Sequence, residues 1–202
     1  MWPPYKRVEV SPGFCLLAAW FALSNSWQTL MIILLAAAVH EAGHYVILRL
    51  LGAEIASLRV GVLGGELTAD RRRLSYGGDL LAVLAGPAAN LLAAVLGTAL
   101  GGGRQAAWIG VNLILCLFNL LPLRPLDGGQ ALYFLTAWLA GPEAGERAVR
   151  LAGTAAAGIL AAALGALMAR TGGSLWLMPM CGALALAAIR EAAGQDGGRY
   201  RQ

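Results

Sequence analysis

The sequence predicts an all-α integral membrane protein of about six transmembrane helices, with a small β-hairpin element after the second helix. Three observations predict it. The 202 residues are 58% hydrophobic and only 13% charged, roughly half the charged share of an ordinary soluble domain. The apolar residues gather into runs separated by short polar or glycine-rich breaks. One segment, Ala53 to Ala69, instead alternates apolar and polar positions in part, around Gly64-Gly65. The length suggests a single domain over residues 1–202, with a core at about 8–135 and closing helices at about 143–193.

The first run, about Phe14 to Leu23, is short for a span, which needs about 20 residues. It must borrow neighbours such as Val10 and Trp27. No small-residue cleavage site precedes the next run, so it reads as a retained helix and not as a removed leader. Ser24-Asn25-Ser26-Trp27 makes a tight turn into the second run, Gln28 to Leu51. The alternating Ala53–Ala69 segment then forms the hairpin; at a membrane its edges need pairing or cover.

The third run, Asp79 to Leu100, contains Ala85-Gly86-Pro87-Ala88-Ala89-Asn90. Small residues there permit close helix contact. Asn90 either hydrogen-bonds across helices or helps to shape a site. After Gly101-Gly102-Gly103-Arg104, the fourth run covers about Gln105 to Leu121. It breaks at Asn119-Leu120-Leu121-Pro122-Leu123-Arg124-Pro125-Leu126-Asp127-Gly128-Gly129-Gln130, where two prolines stop the helix and Asp127 with two glycines makes a turn. A short helix, Ala131 to Leu139, precedes Gly141-Pro142-Glu143. The fifth run is about Val149 to Met168, the sixth Leu175 to Ile189, and a polar tail begins at Arg190.

Charge gives the orientation. With six spans, 13 of the 15 Lys and Arg residues fall on the side of both termini, and only Arg104 and Arg170 on the other. The positive-inside rule then puts both termini in the cytoplasm, with the chain in the plasma membrane. The basic residues form no aromatic-rich patch, so nucleic acid is not an expected partner. Arg71-Arg72-Arg73 reads as a topology signal or a contact with anionic lipid heads. Cys15, Cys116 and Cys181 stand far apart in apolar runs, without metal-type or disulfide spacing.

The chemistry lies in His40-Glu41-Ala42-Gly43-His44, inside the second run. Histidines four apart on a helix share a face, about 6 Å apart along the axis. Both imidazoles can then reach one tetrahedral ion, while Glu41 serves as general base on a water. His and Glu are costly in lipid and mark function there by default. These are the only two histidines in the chain. A catalytic zinc takes three protein ligands and keeps one position open. Asp127 is the best candidate for the third, being held by unusual backbone in the same leaflet; its other role would be to cap the helix starting near Gly129. Glu54, Glu66 and Glu143 are rivals, each placed where a solvated interfacial charge is expected.

His40-Glu41-Ala42-Gly43-His44, Ala85-Gly86-Pro87-Ala88-Ala89-Asn90 and Asn119-x-x-Pro122-x-x-Pro125-Leu126-Asp127-Gly128 together resemble the site-2 protease family of intramembrane zinc metalloproteases. The resemblance covers about residues 8 to 135 and is most similar to the six-span sporulation branch, which cleaves a membrane-associated pro-sigma factor. It implies one Zn2+ on His40, His44 and Asp127, Glu41 as base, and the Asn119 loop with Pro122 and Pro125, and more weakly Asn90, beside the substrate. The implied partners are a membrane-associated protein substrate and the lipid bilayer. The chain departs from many relatives in carrying no inserted PDZ domain and no CBS domain. Two other classes compete: an inactive homologue that binds clients without cutting, which has no need of Glu41, and a zinc membrane protease of the soluble-zincin lineage, whose third ligand is a later Glu. A metal transporter is more remote, since the spans hold few buried acids.

Overall fold

A computed structural model describes residues 7–24, 26–61, 64–70, 74–100, 105–124 and 126–170. It is mostly helical, with one three-stranded sheet, and divides into two compact units, residues 1–119 and 120–202.

The first unit opens on β1 (Arg7–Val10), then α1 (Pro12–Ser24), α2 (Trp27–Leu50), β2 (Glu54–Gly61), β3 (Gly64–Asp70), α3 (Tyr76–Leu100) and α4 (Ala106–Asn119). The strand β1 is a correction to the sequence reading, which lent Val10 to the first span. Val10 instead pairs with Val60, and β1 runs parallel to β2. Ser11 then starts α1: its Oγ accepts from Phe14 N at 3.2 Å, a typical helix-capping contact, and Pro12 fills the first helical position, where no amide donor is needed. Its 13 residues make α1 about 20 Å long.

Ser26 starts α2 in the same way, accepting from Thr29 N at 3.2 Å. The end of α2 is set by Gly52 at φ 79°, a left-handed conformation that glycine adopts freely. The 24 residues of α2 span about 36 Å, enough to cross a bilayer.

β2 and β3 form the expected hairpin, antiparallel from Glu54↔Asp70 to Gly61↔Gly64, with an irregularity between Ile55 and Ser57. Gly64 and Gly65 open β3 and so lie in the ladder, not in the turn. The strand order β1-β2-β3 places β2 in the middle. Leu48, Ala53, Leu74 and Ala82 make a buried cluster under the sheet, with Ile47, Ile55 and Ala69 packed on it. This anchors the hairpin to the ends of α2 and α3.

α2 and α3 pack closely at their small residues. A Cβ on Gly43 would stand 2.9 Å from both the Ala85 carbonyl carbon and Ala89 Cβ. Such backbone approach is the usual device where lipid removes any hydrophobic drive between helices. α3 continues through Pro87.

The second unit holds α5 (Asp127–Ala140) and α6 (Pro142–Arg170) among its described residues. α5 begins at Asp127, four residues earlier than the sequence reading placed the short helix. Asp127 is therefore in the first turn, and the capping position is Leu126, whose side chain makes no capping bond. Gly128 and Gly129 lie against the carbonyls of Leu120, Leu121 and Leu123, with no room for a Cβ. That contact presses the first turn of α5 onto the non-helical segment before it. Arg124 Nη2 donates to Glu146 Oε2 at 3.0 Å, tying the segment to α6. Gly141, at φ 90°, ends α5.

Among the described residues, three helices are long and apolar enough to cross a membrane: Trp27–Leu50, Tyr76–Ala99 and Pro142–Arg170. Large apolar side chains stand exposed along them, among them Leu35, Val46, Leu92, Val95, Leu151 and Ile159. A water-soluble surface does not carry apolar area on that scale; this is a membrane protein. The expected first and fourth spans correspond to the shorter helices α1 and α4. The expected sixth, at 175–189, lies outside the described residues, as do Pro125, Val62 and the 71–73 arginines.

Candidate metal centre

Helical spacing alone puts His40 and His44 on one face of α2. What the structure adds is the direction in which the rings point. Their Nε2 atoms face each other at 3.1 Å, with ring centroids 4.8 Å apart and planes at 81°. Each Nδ1 is turned away and occupied. His44 Nδ1 lies 2.8 Å from the Ala82 carbonyl oxygen. A carbonyl only accepts, so this Nδ1 carries the proton. His40 Nδ1 lies 2.6 Å from Asn90 Oδ1 and donates likewise.

A neutral imidazole has one N–H. With each ring neutral and its proton on Nδ1, both Nε2 atoms are lone-pair acceptors that face each other. Two such lone pairs at 3.1 Å repel unless a cation accepts both. The donor set fits a zinc ion, which takes neutral imidazole nitrogen and is commonly held by histidines whose other nitrogen donates outward.

Two glycines keep this space open. A Cβ on Gly86 would run into His44 Nε2 and stand 2.7 Å from His40 Nε2. Gly86 is thus the wall of the hollow between the imidazoles. On the sheet side, a Cβ on Gly65 would stand 2.6 Å from Glu41 Oε1, so β3 passes directly against the Glu41 carboxylate. The sequence reading treated Gly86 as a packing residue and Gly65 as a turn residue. Their distance in the chain from the H-E-x-x-H stretch left no local signal for these contacts.

Asn90 is fully buried, and its amide is committed to His40, Ala36 and Asn112. It lies behind His40, among protein atoms, and is not open to a substrate. Asn112, also fully buried, was missed. The available signal was an amide in the middle of the apolar helix Ala106–Asn119. Asn119 ends that helix and donates to Leu115 O at 3.0 Å. In the second unit Asp127 is buried in the first turn of α5, and Pro122 is half-buried in the segment before it.

No family model matches the chain. Among curated proteins it is similar to the provisionally named zinc metalloprotease Rip3 of Mycobacterium tuberculosis, 36% identical over 103 residues, 45% of this chain and 26% of that one. It is also similar to the provisionally named zinc metalloprotease sll0528 of Synechocystis, 29% identical over 113 residues, 52% of this chain and 30% of the other. Among solved structures it matches the site-2 protease of Methanocaldococcus jannaschii with a TM-score of 0.64, at 19% identity, over 92% of this chain and 90% of that one. The motifs, the relatives and the fold agree. The chain has the site-2 protease fold. The matched segments span only about a quarter to a third of the length of these curated relatives. Within this fold, the facing imidazoles and Gly86 occupy the second and third helices of the first unit.

Proposed function

We propose that this chain is an intramembrane zinc metalloprotease that hydrolyses peptide bonds in or near the transmembrane segments of membrane-associated proteins. The observation that carries the reading is the pair of facing imidazole Nε2 atoms with Gly86 directly against them, on a helix that also bears Glu41. A client-binding protein needs neither this donor set nor a general base.

His40, His44 and Asp127 are the proposed zinc ligands. Asp127 supplies the carboxylate that completes a catalytic set of three. Its support is local: it is buried, and two glycines fix it in the first turn of α5. A helix N-terminus also favours the ionised carboxylate. When bound, zinc supplies Lewis-acid polarisation and a nucleophile at neutral pH. Glu41 takes a proton from the attacking water as its oxygen bonds to the peptide carbon. It then gives that proton to the leaving amine as the C–N bond breaks. Asn119, Pro122 and Pro125 belong to the proposed substrate side. Six spans, cytoplasmic termini in the plasma membrane and kinship with the sporulation branch are part of the same proposal.

Metal analysis of the protein purified in detergent tests the ligand set. Wild type should carry about one zinc per chain, and Asp127→Asn should lose most of it. Full occupancy in Asp127→Asn, with loss in a Glu54 or Glu66 variant, would move the third ligand elsewhere.

The substrate must unwind before attack, and its freed amides then need partners within the membrane. Strand addition to the sheet supplies them. The sequence alone left both edges of the Ala53–Ala69 hairpin as candidates, but β2 is paired on both sides. Among the described strands β3 pairs only with β2, and it is β3 that passes Glu41. An added strand would lie about 5 Å from β3 and about 10 Å from β2. A disulfide spans only the shorter gap. In the Glu41→Gln background, a single cysteine in the substrate should therefore cross-link to Thr68→Cys on β3 and not to Ala56→Cys on β2. Equal yields, or none from Thr68→Cys in folded and zinc-loaded protein, would exclude this edge.

A further inference from the structure

We propose that Asn112 and Asn90 form a buried amide relay that sets the tautomer of His40 and so holds its Nε2 lone pair toward the metal position.

The relay begins at a group that cannot reverse. The Trp108 carbonyl accepts from Asn112 Nδ2 at 2.9 Å. That orients the Asn112 amide and turns its Oδ1 toward Asn90, whose Nδ2 donates to it at 2.8 Å. The same Nδ2 donates to the Ala36 carbonyl at 3.0 Å. Both amide protons of Asn90 are then in use, so its Oδ1 faces His40 Nδ1 at 2.6 Å. A flipped Asn90 would set its oxygen against two others, those of Ala36 and Asn112. Both amides are fully buried, so no water offers them another arrangement, and an unmade bond there is costly. Trp108 is itself held, its Nε1 donating to the Ala93 carbonyl at 3.1 Å.

The two histidines are thus locked by different means. His44 relies on a backbone carbonyl, which has one polarity. His40 relies on a side-chain amide, which has two, and Asn112 removes the wrong one. Asn112 is a positioning residue that acts through Asn90 without approaching the metal position.

The test uses the full chain in detergent with 15N-labelled histidine. The chain has only two histidines, so two imidazoles report, assigned with single-histidine variants. Before zinc is added, at a pH above the ordinary imidazole pKa of about 6.5, both rings of wild type should be protonated on Nδ1. In Asn90→Leu, and more weakly in Asn112→Leu, His40 should shift to a mixture that includes Nε2–H, while His44 stays on Nδ1. Asn112→Asp, as the neutral acid, keeps an O–H donor for the Trp108 carbonyl and an oxygen facing Asn90, and should restore the wild-type pattern. Zinc affinity, read against a competing chelator, should fall about 10- to 100-fold in Asn90→Leu, less in Asn112→Leu, and recover in Asn112→Asp.

An unchanged His40 tautomer in Asn112→Leu overturns the relay. So does a change at both histidines in Asn112→Leu, because that is lost packing. The affinity arm rests on the proposed zinc site, whereas the tautomer arm does not. A wild-type chain that fails to bind zinc but keeps both Nδ1 protons would sink the protease reading and leave the relay standing.

Discussion

Replacing Glu41 by Gln is expected to abolish cleavage while zinc and fold are retained. The substitution keeps the size of the side chain and removes its capacity to accept a proton. Against β3, where Gly65 leaves space for this side chain, Gln fits as Glu does. A general base typically contributes 10²- to 10⁴-fold, so turnover of a model substrate should fall by about that factor. Zinc content should stay at the wild-type level, because the imidazole Nε2 atoms and their Nδ1 partners are untouched. A Gln variant that cuts at the wild-type rate would remove Glu41 from the mechanism.

Gly86→Val should empty the metal centre of a protein that still folds. Three magnitudes decide this. Replacing a helical glycine gains up to about 1 kcal/mol of propensity for Ala, less for Val. A side chain forced into a packed site costs about 1–3 kcal/mol when the backbone must give way. Turning an imidazole off its rotamer costs about 0.5–1.5 kcal/mol, plus about 1 kcal/mol for the bond it leaves. The atoms that a Cβ at this position meets are imidazole atoms of His44 and His40, so the cheapest relief is to push the rings aside. Zinc content and cleavage should then be lost together, with thermal unfolding close to wild type. Ala, with the Cβ alone, should give the same result in milder form. A fully zinc-loaded Gly86→Val would show that the hollow is wider than these contacts allow.

Some elements were legible because their cause is local. The partial alternation within Ala53–Ala69 predicted a hairpin, and a hairpin formed. The third strand was not legible. Four residues, Arg7–Val10, carry little pattern, and their partner lies across α1 and α2. Missing β1 also left the edge of the sheet undecided, since a hairpin alone leaves β2 open on one side. The first turn of α5 was misjudged for a related reason. Asp127-Gly128-Gly129 reads as a turn by composition. The glycines are instead helical residues that make room for the carbonyls of Leu120, Leu121 and Leu123.

By itself the sequence determined that two imidazoles and a carboxylate share one helix in a membrane. That follows from a backbone period that needs no tertiary contact. It also placed Asn90 and small residues in a neighbouring helix. Only the tertiary structure decided which nitrogen of each ring is the ligand. That choice depends on acceptors 38 and 50 residues away, the Ala82 carbonyl and Asn90. Only the fold could bring Gly86 between the rings and lay Gly65 against Glu41. Spacing along one helix places two histidines near each other. A tautomer is an equilibrium set by whatever faces the far side of the ring, and here those groups come from another helix.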